Sequence, residues 1–444
     1  MSRYKRYERY KDSGVEWIGE IPEHWNNKKI SWIFNIIGSG TTPSTSNLEY
    51  YDGDVPWVNT GDLNDGYLYE TSKMITDLAL KDYSTLKFYP IDTLLIAMYG
   101  ATIGKLSITK IIATTNQACC ALAQPKNVNI KFIFYWFLAN RNHIIAMAYG
   151  GGQPNISQNL IKSLRINLPE KHEQNAIVNF LDQKTAVIDD LIADKEKLIE
   201  LLQEKRQAII TEAVTKGLNL NVKMKDSGIE WIGEIPEHWR IVRLKFLKTS
   251  PFQYGANEPA EMDDPQLPRY IRITDINEKG DLREDTFKSL SWESAQPYLL
   301  KDGDILFARS GATVGKIFMY RGELGPACYA GYLIRFKPDK SKVNSYYIYY
   351  YTLSKVYEEW IKQNIIQATI QNVSAEKYGN LQVPLPPLEE QKGIVKYLND
   401  KIEEIDILVE SIYVQIQKLK EYRQSLISEA VTGKIDVRDY VVSN

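Results

Sequence analysis

Two stretches of the chain carry apolar residues at a spacing of 3.5. Alternating steps of four and three from Leu181 land on Leu181, Thr185, Ile188, Ile192, Lys195, Ile199, Leu202, Arg206, Ile209 and Ala213, seven of the ten apolar. The same steps from Leu398 reach Ala430 through Ile402, Ile405, Val409, Ile412, Ile416, Leu419, Arg423 and Leu426, nine of the ten apolar. No glycine or proline interrupts either ladder, so each predicts one long helix, and the simplest partner for each seam is the other. At 1.5 Å per residue Leu181 to Ala213 would extend about 48 Å, longer than the roughly 34 Å of one DNA turn, which suits a rigid spacer.

Ahead of each ladder the pattern changes to short apolar runs punctuated by Gly, Pro, Asn and Asp. Val55–Asn59, Thr93–Tyr99, Tyr270–Thr274, Asp304–Arg309 and Tyr332–Phe336 read as strands, with Phe132–Asn140 and Ser345–Lys362 as helices. Pro169 in the first half, and Pro384, Pro386 and Pro387 in the second, mark stiff junctions into the long helices. The fold class expected is therefore a tandem of mixed α/β (α+β) lobes separated by two long helices that form an antiparallel coiled coil.

The two halves are copies. KDSGVEWIGEIPEHW at Lys11–Trp25 returns as KDSGIEWIGEIPEHW at Lys225–Trp239, fourteen identities in fifteen positions at an offset of 214. GATIGK at Gly100–Lys105 returns as GATVGK at Gly311–Lys316, offset 211. Glu173-Gln174, Arg206-Gln207 and Glu212–Thr215 return as Glu390-Gln391, Arg423-Gln424 and Glu429–Thr432, each at 217. Between these landmarks the copies barely match. Units of this length are duplicated domains rather than a solenoid, and a retained scaffold around divergent interiors suits two modules that read different targets.

Composition sharpens this picture only locally. At 444 residues, 44% hydrophobic and 25% charged, the chain is an ordinary globular composition that buries real cores over more than one domain. No run approaches the roughly 20 apolar residues of a membrane span, and the start is polar and basic, so a cytoplasmic protein is expected. Three cysteines, Cys119, Cys120 and Cys328, sit among apolar neighbours without zinc-site spacing and read as core. The net charge of -2 hides a segregation: Thr93–Pro169 has no Asp or Glu and seven basic residues, and Ile305–Pro387 carries ten basic residues against five acidic. The helical segments Glu170–Lys216 and Leu388–Thr432 are each at -3. Two basic lobes alternating with acidic helices is the distribution a polyanion-binding protein needs.

Several catalytic motifs fail on inspection. GATIGK has three residues between its glycines where a Walker loop has four, and Leu106 or Ile317 stands where Ser or Thr would hold magnesium. The glycines suit a tight strand-to-strand turn from which Lys105 and Lys316 reach a phosphate backbone, although a purely structural turn uses them equally well. A glycine-rich cofactor turn with an Asn-or-Asp-Pro-Pro-aromatic strip is absent. Among the histidines, His24 and His238 belong to the repeated EHW, where Trp25 and Trp239 are expected to anchor a lobe, and His143 and His172 lack ligand partners. Asp52 with Asp54, and Asp302 with Asp304, lie in turn-rich sequence and read as solvated turns rather than a nuclease centre.

Amide-rich loops close each lobe. GGGQPNISQ at Gly150–Gln158 offers Gln153, Asn155 and Gln158, and the second copy offers Gln367, Thr369, Gln371 and Asn372. Gln and Asn suit bidentate bonding to adenine and Arg suits guanine, so these loops and Arg309 are candidate base readers, against ordinary loop polarity. Thr60, Tyr99, Arg272, Thr274 and Ser310, on or just after predicted strand ends, complete the candidate DNA-binding set with Lys105 and Lys316.

This arrangement resembles the specificity subunits of type I restriction-modification systems. The motifs that carry the resemblance are the duplicated GxEWIGEIPEHW, DILFARSGATVGK at Asp304–Lys316, QPNIS at Gln153–Ser157 and the Pro-x-x-x-Glu-Gln lead-in to each helix. The resemblance covers essentially the whole chain and implies two target recognition domains, 1–168 and 218–387, each followed by a helical spacer, 169–217 and 388–444. It implies a non-catalytic chain that binds double-stranded DNA at a split target, one half per domain. Partners implied are methyltransferase subunits, which bring S-adenosylmethionine, and a restriction and translocase subunit that uses ATP and Mg; no cofactor, metal or catalytic residue is implied for this chain. One departure is that IIQATIQNVS, the second copy's counterpart of GGGQPNIS, lacks the glycines. Outside the resemblance, a stand-alone bipartite DNA-binding protein would use the same charge layout, and an enzyme with a degenerate nuclease or NTPase site would show metal- or ATP-dependent turnover.

Overall fold

The structure, a computed structural model, describes residues 4–148, 155–219, 221–277, 280–365 and 372–440. It divides into two compact units: residues 1–195 with 414–444, and residues 196–413. Each unit thus combines one α/β lobe with segments of both long helices.

In the first lobe the strands used below are β1 (Phe34–Gly38), β2 (Tyr51–Val58), β3 (Gly66–Leu68), β4 (Leu94–Ala97), β5 (Leu106–Thr109), β6 (Thr114–Thr115) and β7 (Cys119–Pro125). They are followed by the helices α1 (Ile130–Ala146), α2 (Gln158–Ser163) and α3 (Lys171–Lys216). The central sheet has the order β1-β7-β4-β5-β3, antiparallel except for β5 with β3. β4 is the middle strand, and Leu94, Leu95, Ile96 and Ala97 are all buried, which is why its sequence reads as a continuous apolar run rather than an alternation. β6 lies parallel to the end of β2.

The second lobe repeats this plan with β8 (Gln253–Tyr254), β9 (Arg269–Ile271), β10 (Ile305–Ala308), β11 (Ile317–Met319), β12 (Ala327–Tyr329) and β13 (Leu333–Phe336). Its helices are α4 (Ser345–Thr352), α5 (Lys355–Ile365), α6 (Ala375–Gly379) and α7 (Leu388–Val431). The sheet order is β8-β13-β10-β11, and β9 runs parallel to β12 as β2 does to β6. The helix read over Ser345–Lys362 is two: Ser354 starts a new helix by accepting the Tyr357 N–H on its hydroxyl, and Leu353 ends the first. The long helices also begin about ten residues earlier than the apolar ladders, at Lys171, two residues after Pro169, and at Leu388, directly after Pro387.

Each landmark repeated in the sequence makes the same contact twice. Trp25 and Trp239 are fully buried and donate their indole N–H to Glu173 (3.0 Å) and Glu390 (3.1 Å), while His24 and His238 bond the second oxygen of the same carboxylates at 2.8 and 2.9 Å. Gln174 and Gln391 each accept the backbone N–H of the residue that caps the next lobe helix, Asn129 and Asn344, both at 2.8 Å. Each also donates at 2.9 Å to the carbonyl of a lead-in proline, Pro169 or Pro386. Glu-Gln at the head of each long helix therefore ties that helix to its lobe, and buried polar groups must be satisfied in this way to be tolerated.

Of the polar residues that interrupt the apolar seams, Thr185 donates to the Leu181 carbonyl of its own helix at 2.8 Å, and the charged ones find partners on the opposite helix. In the first unit Arg423 pairs with Asp189 at 2.8 Å and Lys195 donates to Gln415 at 2.7 Å, so residue numbers rise on one helix as they fall on the other. In the second unit Arg206 faces Asp406 at 3.7 Å, the same pair displaced by 217. Leu181, Ile188, Ile192, Leu398, Ile402 and Ile412 are buried, as an antiparallel coiled coil requires. The chain's last described segment also belongs to the first unit: Asp436 donates its backbone N–H to Lys5, Lys434 reaches the Glu20 carbonyl, and Tyr440 packs edge-on against Phe180.

Among the described residues no helix is long and apolar enough to cross a membrane, and no group of three or more His, Cys, Asp or Glu stands together as a metal site.

Candidate nucleic-acid interface

In both lobes the candidate residues gather at one end of the central sheet. The GATIGK turn links antiparallel β4 and β5, and GATVGK links β10 and β11, so both are strand-turn-strand connections. A phosphate-cradling Walker loop runs from strand to helix, which this topology is not. Gly104 and Gly315 have positive φ (77° and 85°), and a Cβ there would meet Ile145 or Ile361 at 3.0 Å. The second glycine of each turn is therefore fixed both by conformation and by the helix behind it. Lys105 projects exposed from the first turn and Lys316 is half-buried at the second.

Beside the turns the lobe-closing loops dock in one register. Ile156 donates its N–H to the carbonyl of Met98 (2.7 Å), and Val373 donates to that of Arg309 (2.8 Å). Ser157 and Ser374 then cap α2 and α6 with their hydroxyls. Asn155-Ile156-Ser157 thus corresponds to Asn372-Val373-Ser374 at the familiar offset of 217. Asn155 is exposed and Gln158 half-buried. Gln153, Gln367, Thr369 and Gln371 lie outside the described residues.

The remaining candidates differ in what they have free. Thr60 is half-buried in a short turn that follows β2, held by the Asn59 N–H on Asp62 (2.8 Å) and by Asn116 donating to Asn59 (3.1 Å). Tyr99 is half-buried next to Gln117; burial lifts its phenol pKa and the Gln117 side chain opposes that shift. Thr274 is exposed and Ser310 half-buried, paired through its backbone with Asn372. Arg272, by contrast, spends its guanidinium inside the lobe, on buried Asp275 (2.7 and 3.0 Å) and on the Thr286 carbonyl (2.7 Å). Its fork organises a turn.

Local charge counts also change on inspection. In the acid-free stretch, Lys110, Lys131 and Arg141 pair with Asp92, Asp182 and Asp65, all supplied from outside it. The unpaired positive charge of that stretch therefore rests on Lys105, Lys126, Lys162 and Arg165 rather than on all seven bases. Asp304 is not a solvated turn residue: it is buried, accepts the Lys301 N–H at 3.0 Å, and has its pKa raised by burial against the pull of Arg335.

Sequence reasoning passed over several rim residues. Gly40 and Gly255 occupy equivalent places, where a Cβ would stand 1.8 Å from the Thr115 carbonyl oxygen and 2.2 Å from that of Tyr329. This close approach brings the chain beside Gly40 to Gln117, which Thr42 bonds at 2.6 Å, and sets Tyr254 on the rim of the second lobe. Tyr332, 64% exposed, precedes β13 at the same end. Tyr254 and Tyr332 flank glycines in the sequence, a signal of close backbone approach but not of function; Asn372 already stands in the amide-rich loop read from the sequence.

Comparison with known proteins fits this geometry. The profile of the type I restriction modification DNA specificity domain matches residues 22–201 and 257–418. The chain belongs to this family. It carries two such DNA specificity domains in tandem, one for each lobe and the helix that follows it. Two relatives from Methanocaldococcus jannaschii are the type I restriction enzyme MjaVIII and MjaIX specificity subunits. They are 23% and 26% identical over 94% and 95% of this chain and 95% and 96% of their own. Among solved structures, a chain described in terms of complex assembly and conformational transition of the type I R-M system superposes with a TM-score of 0.71. It has 16% identity, over 93% of this chain and 98% of that one, and so matches in fold.

Proposed function

We propose that this chain is the non-catalytic specificity subunit of a type I restriction enzyme and that its two lobes read the two halves of a split double-stranded DNA target. The observation that carries the reading is the repeated rim. One backbone framework, with the same turn, the same docked loop and the same glycine approach, appears twice with different side chains. Family membership and full-length similarity to specificity subunits support it.

Lys105 and Lys316 supply phosphate contacts that position the lobes, while Asn155, Gln158, Tyr99 and Thr60 in the first lobe, and Arg309, Ser310, Thr274 and Asn372 in the second, face base edges. Gln153, Gln367 and Gln371 belong to the same loops by sequence. Partners are methyltransferase subunits that bring S-adenosylmethionine and a restriction and translocase subunit that uses ATP and Mg. This chain directs their chemistry to a site and itself holds no cofactor. DNA as target places it in the cytoplasm.

Co-expression with methyltransferase subunits from the same genome, followed by mapping of methylated adenines by single-molecule sequencing, tests the reading. A two-part motif with a fixed gap is expected. A complex that forms but leaves no such motif overturns it in favour of a DNA-binding protein of another kind.

A further inference from the structure

The arginines of the second lobe are unequal in what they have left to offer. Arg269 bonds Glu284 and the Arg283 carbonyl, Arg272 bonds Asp275, Arg283 bonds Asp285 and Arg335 pairs with Gln253. Arg240, Arg243 and Arg321 are exposed to solvent, whereas Arg309 is half-buried and still unspent. Among the described residues no hydrogen bond or ion pair engages its guanidinium, and its Nε is buried without a partner. The shielded Nε faces the lobe, so what this half-buried side chain can offer a ligand is its terminal nitrogens.

Arg309 is also held still. It follows β10 directly, its N–H bonds the Tyr332 carbonyl at 3.0 Å, and its own carbonyl accepts the Val373 N–H at 2.8 Å. Its guanidinium carbon lies 4.8 Å from the centroid of the Tyr254 ring. Tyr254 is fixed in turn by β8 pairing with β13 and by the Ala375 N–H on its hydroxyl at 3.2 Å. A guanidinium stacked on a ring has one face covered and keeps its donor edge, and that planar fork matches the O6 and N7 acceptors of guanine.

At the corresponding place in the first lobe the chemistry is missing. Met98 makes the same two backbone bonds, to Ala118 at 2.8 Å and from Ile156 at 2.7 Å, but is an apolar buried side chain. Ser39 stands where Tyr254 does, one residue before the close-packed glycine, and Ala118 stands where Tyr332 does.

From this contrast we infer that Arg309 is the guanine-reading residue of the second lobe, with Tyr254 as its positioning residue, and that the first lobe has no such reader at this place. The inference rests on the proposed function and adds to it the commitment of Arg309 to guanine, the ring that positions it and the lobe that lacks such a reader. A G·C pair in one half-site depends on Arg309, and discrimination at that pair is worth roughly 5- to 150-fold.

The test is the same methylation map, made with the full chain in complex with its methyltransferase subunits, for the natural protein and for Arg309→Ala, Arg309→Lys, Tyr254→Leu and Tyr254→Phe. Lysine keeps the charge but not the fork, and phenylalanine keeps the ring. Expected is a natural motif that loses its preference at a single G·C position in one half with both Arg309 substitutions and with Tyr254→Leu. That preference is retained with Tyr254→Phe. If the natural protein yields a split motif and the Arg309 substitutions leave every G·C position intact, flatten an A·T position instead, or erase the motif as a whole even with lysine, the inference is overturned while the proposed function stands. If Tyr254→Leu leaves the position sharp, or Tyr254→Phe flattens it, the positioning role is overturned. If the natural protein yields no motif, the proposed function fails first and takes the inference with it.

Discussion

Trp25 donates its indole N–H to Glu173 across 148 residues of chain, and that one carboxylate also takes the Tyr7 hydroxyl at 2.7 Å and His24 at 2.8 Å. Three side chains from the start of the lobe converge on the head of a long helix. Its counterpart Glu390 serves Trp239 and His238 and is more open, with a side chain 32% exposed against 2% for Glu173. Glu173→Ala leaves buried donors without an acceptor and is expected to destabilise the first unit by about 3–5 kcal/mol, the cost of orphaning a buried polar cluster. Glu390→Ala is expected to cost less. Urea denaturation of both variants checks this, and equal losses would contradict the difference in burial.

Arg423 and Asp189 are 30% and 51% exposed, so their pairing is worth little alone. A double-mutant cycle on Arg423→Ala and Asp189→Ala should return a coupling of about 0.2–1 kcal/mol that shrinks in high salt. A coupling near zero at low salt would show that the apolar seam, not the ion pair, sets helix register.

Gly40→Ala and Gly255→Ala place a methyl group far inside contact distance of a carbonyl oxygen. Each should cost about 1–3 kcal/mol, since overpacking forces the backbone apart. Gly61→Ala, in the same first lobe with open space around its Cβ position, is the control and should be near neutral. Thermal unfolding distinguishes them.

Lys105→Ala and Lys316→Ala should weaken binding to all DNA sequences alike. Each should reduce the slope of log affinity against log salt by about 0.9, one phosphate contact apiece. Fluorescence anisotropy of the assembled complex over a salt series reads this directly.

Burial pushes the thiols of Cys119, Cys120 and Cys328 up to about 12 from an ordinary value of 9.0. In the folded chain they stay protonated, so alkylation at pH 8 should proceed only through unfolding. Between about pH 9 and 12 the unfolded chain releases these protons and the folded chain keeps them, so stability falls as pH rises through that window. Rapid labelling of the native chain at pH 8 would show that one of the three is open.

The sequence carried the architecture well because its strongest signals were ones of spacing. A seam repeating at 3.5 residues and landmarks repeating at 211 to 217 leave few alternatives, and the strands read at Thr93–Tyr99 and Asp304–Arg309 sit at β4 and β10. The break at Leu353-Ser354 was missed because apolar periodicity runs on through a serine whose capping role appears only in its hydrogen bond. Site residues were less legible. Arg272 and Arg309 look alike in a sequence, and only the fold shows that one is spent on Asp275 while the other has its donors in hand. A count of charges cannot tell that Arg141 is answered by Asp65, 76 residues away.

The two units differ in how the chain supplies them. One is a continuous run, 196–413, whereas the other takes in residues 1–195 and must then wait for 414–440, whose Lys434 and Asp436 reach back to Glu20 and Lys5. On the ribosome the lobe synthesised first is therefore finished last. Until the last segment emerges, Phe180 has Tyr4 packed against it but lacks Tyr440. Order of synthesis and order of completion run in opposite directions in this protein. A released chain truncated just past residue 413 would hold a complete second unit and an unfinished first.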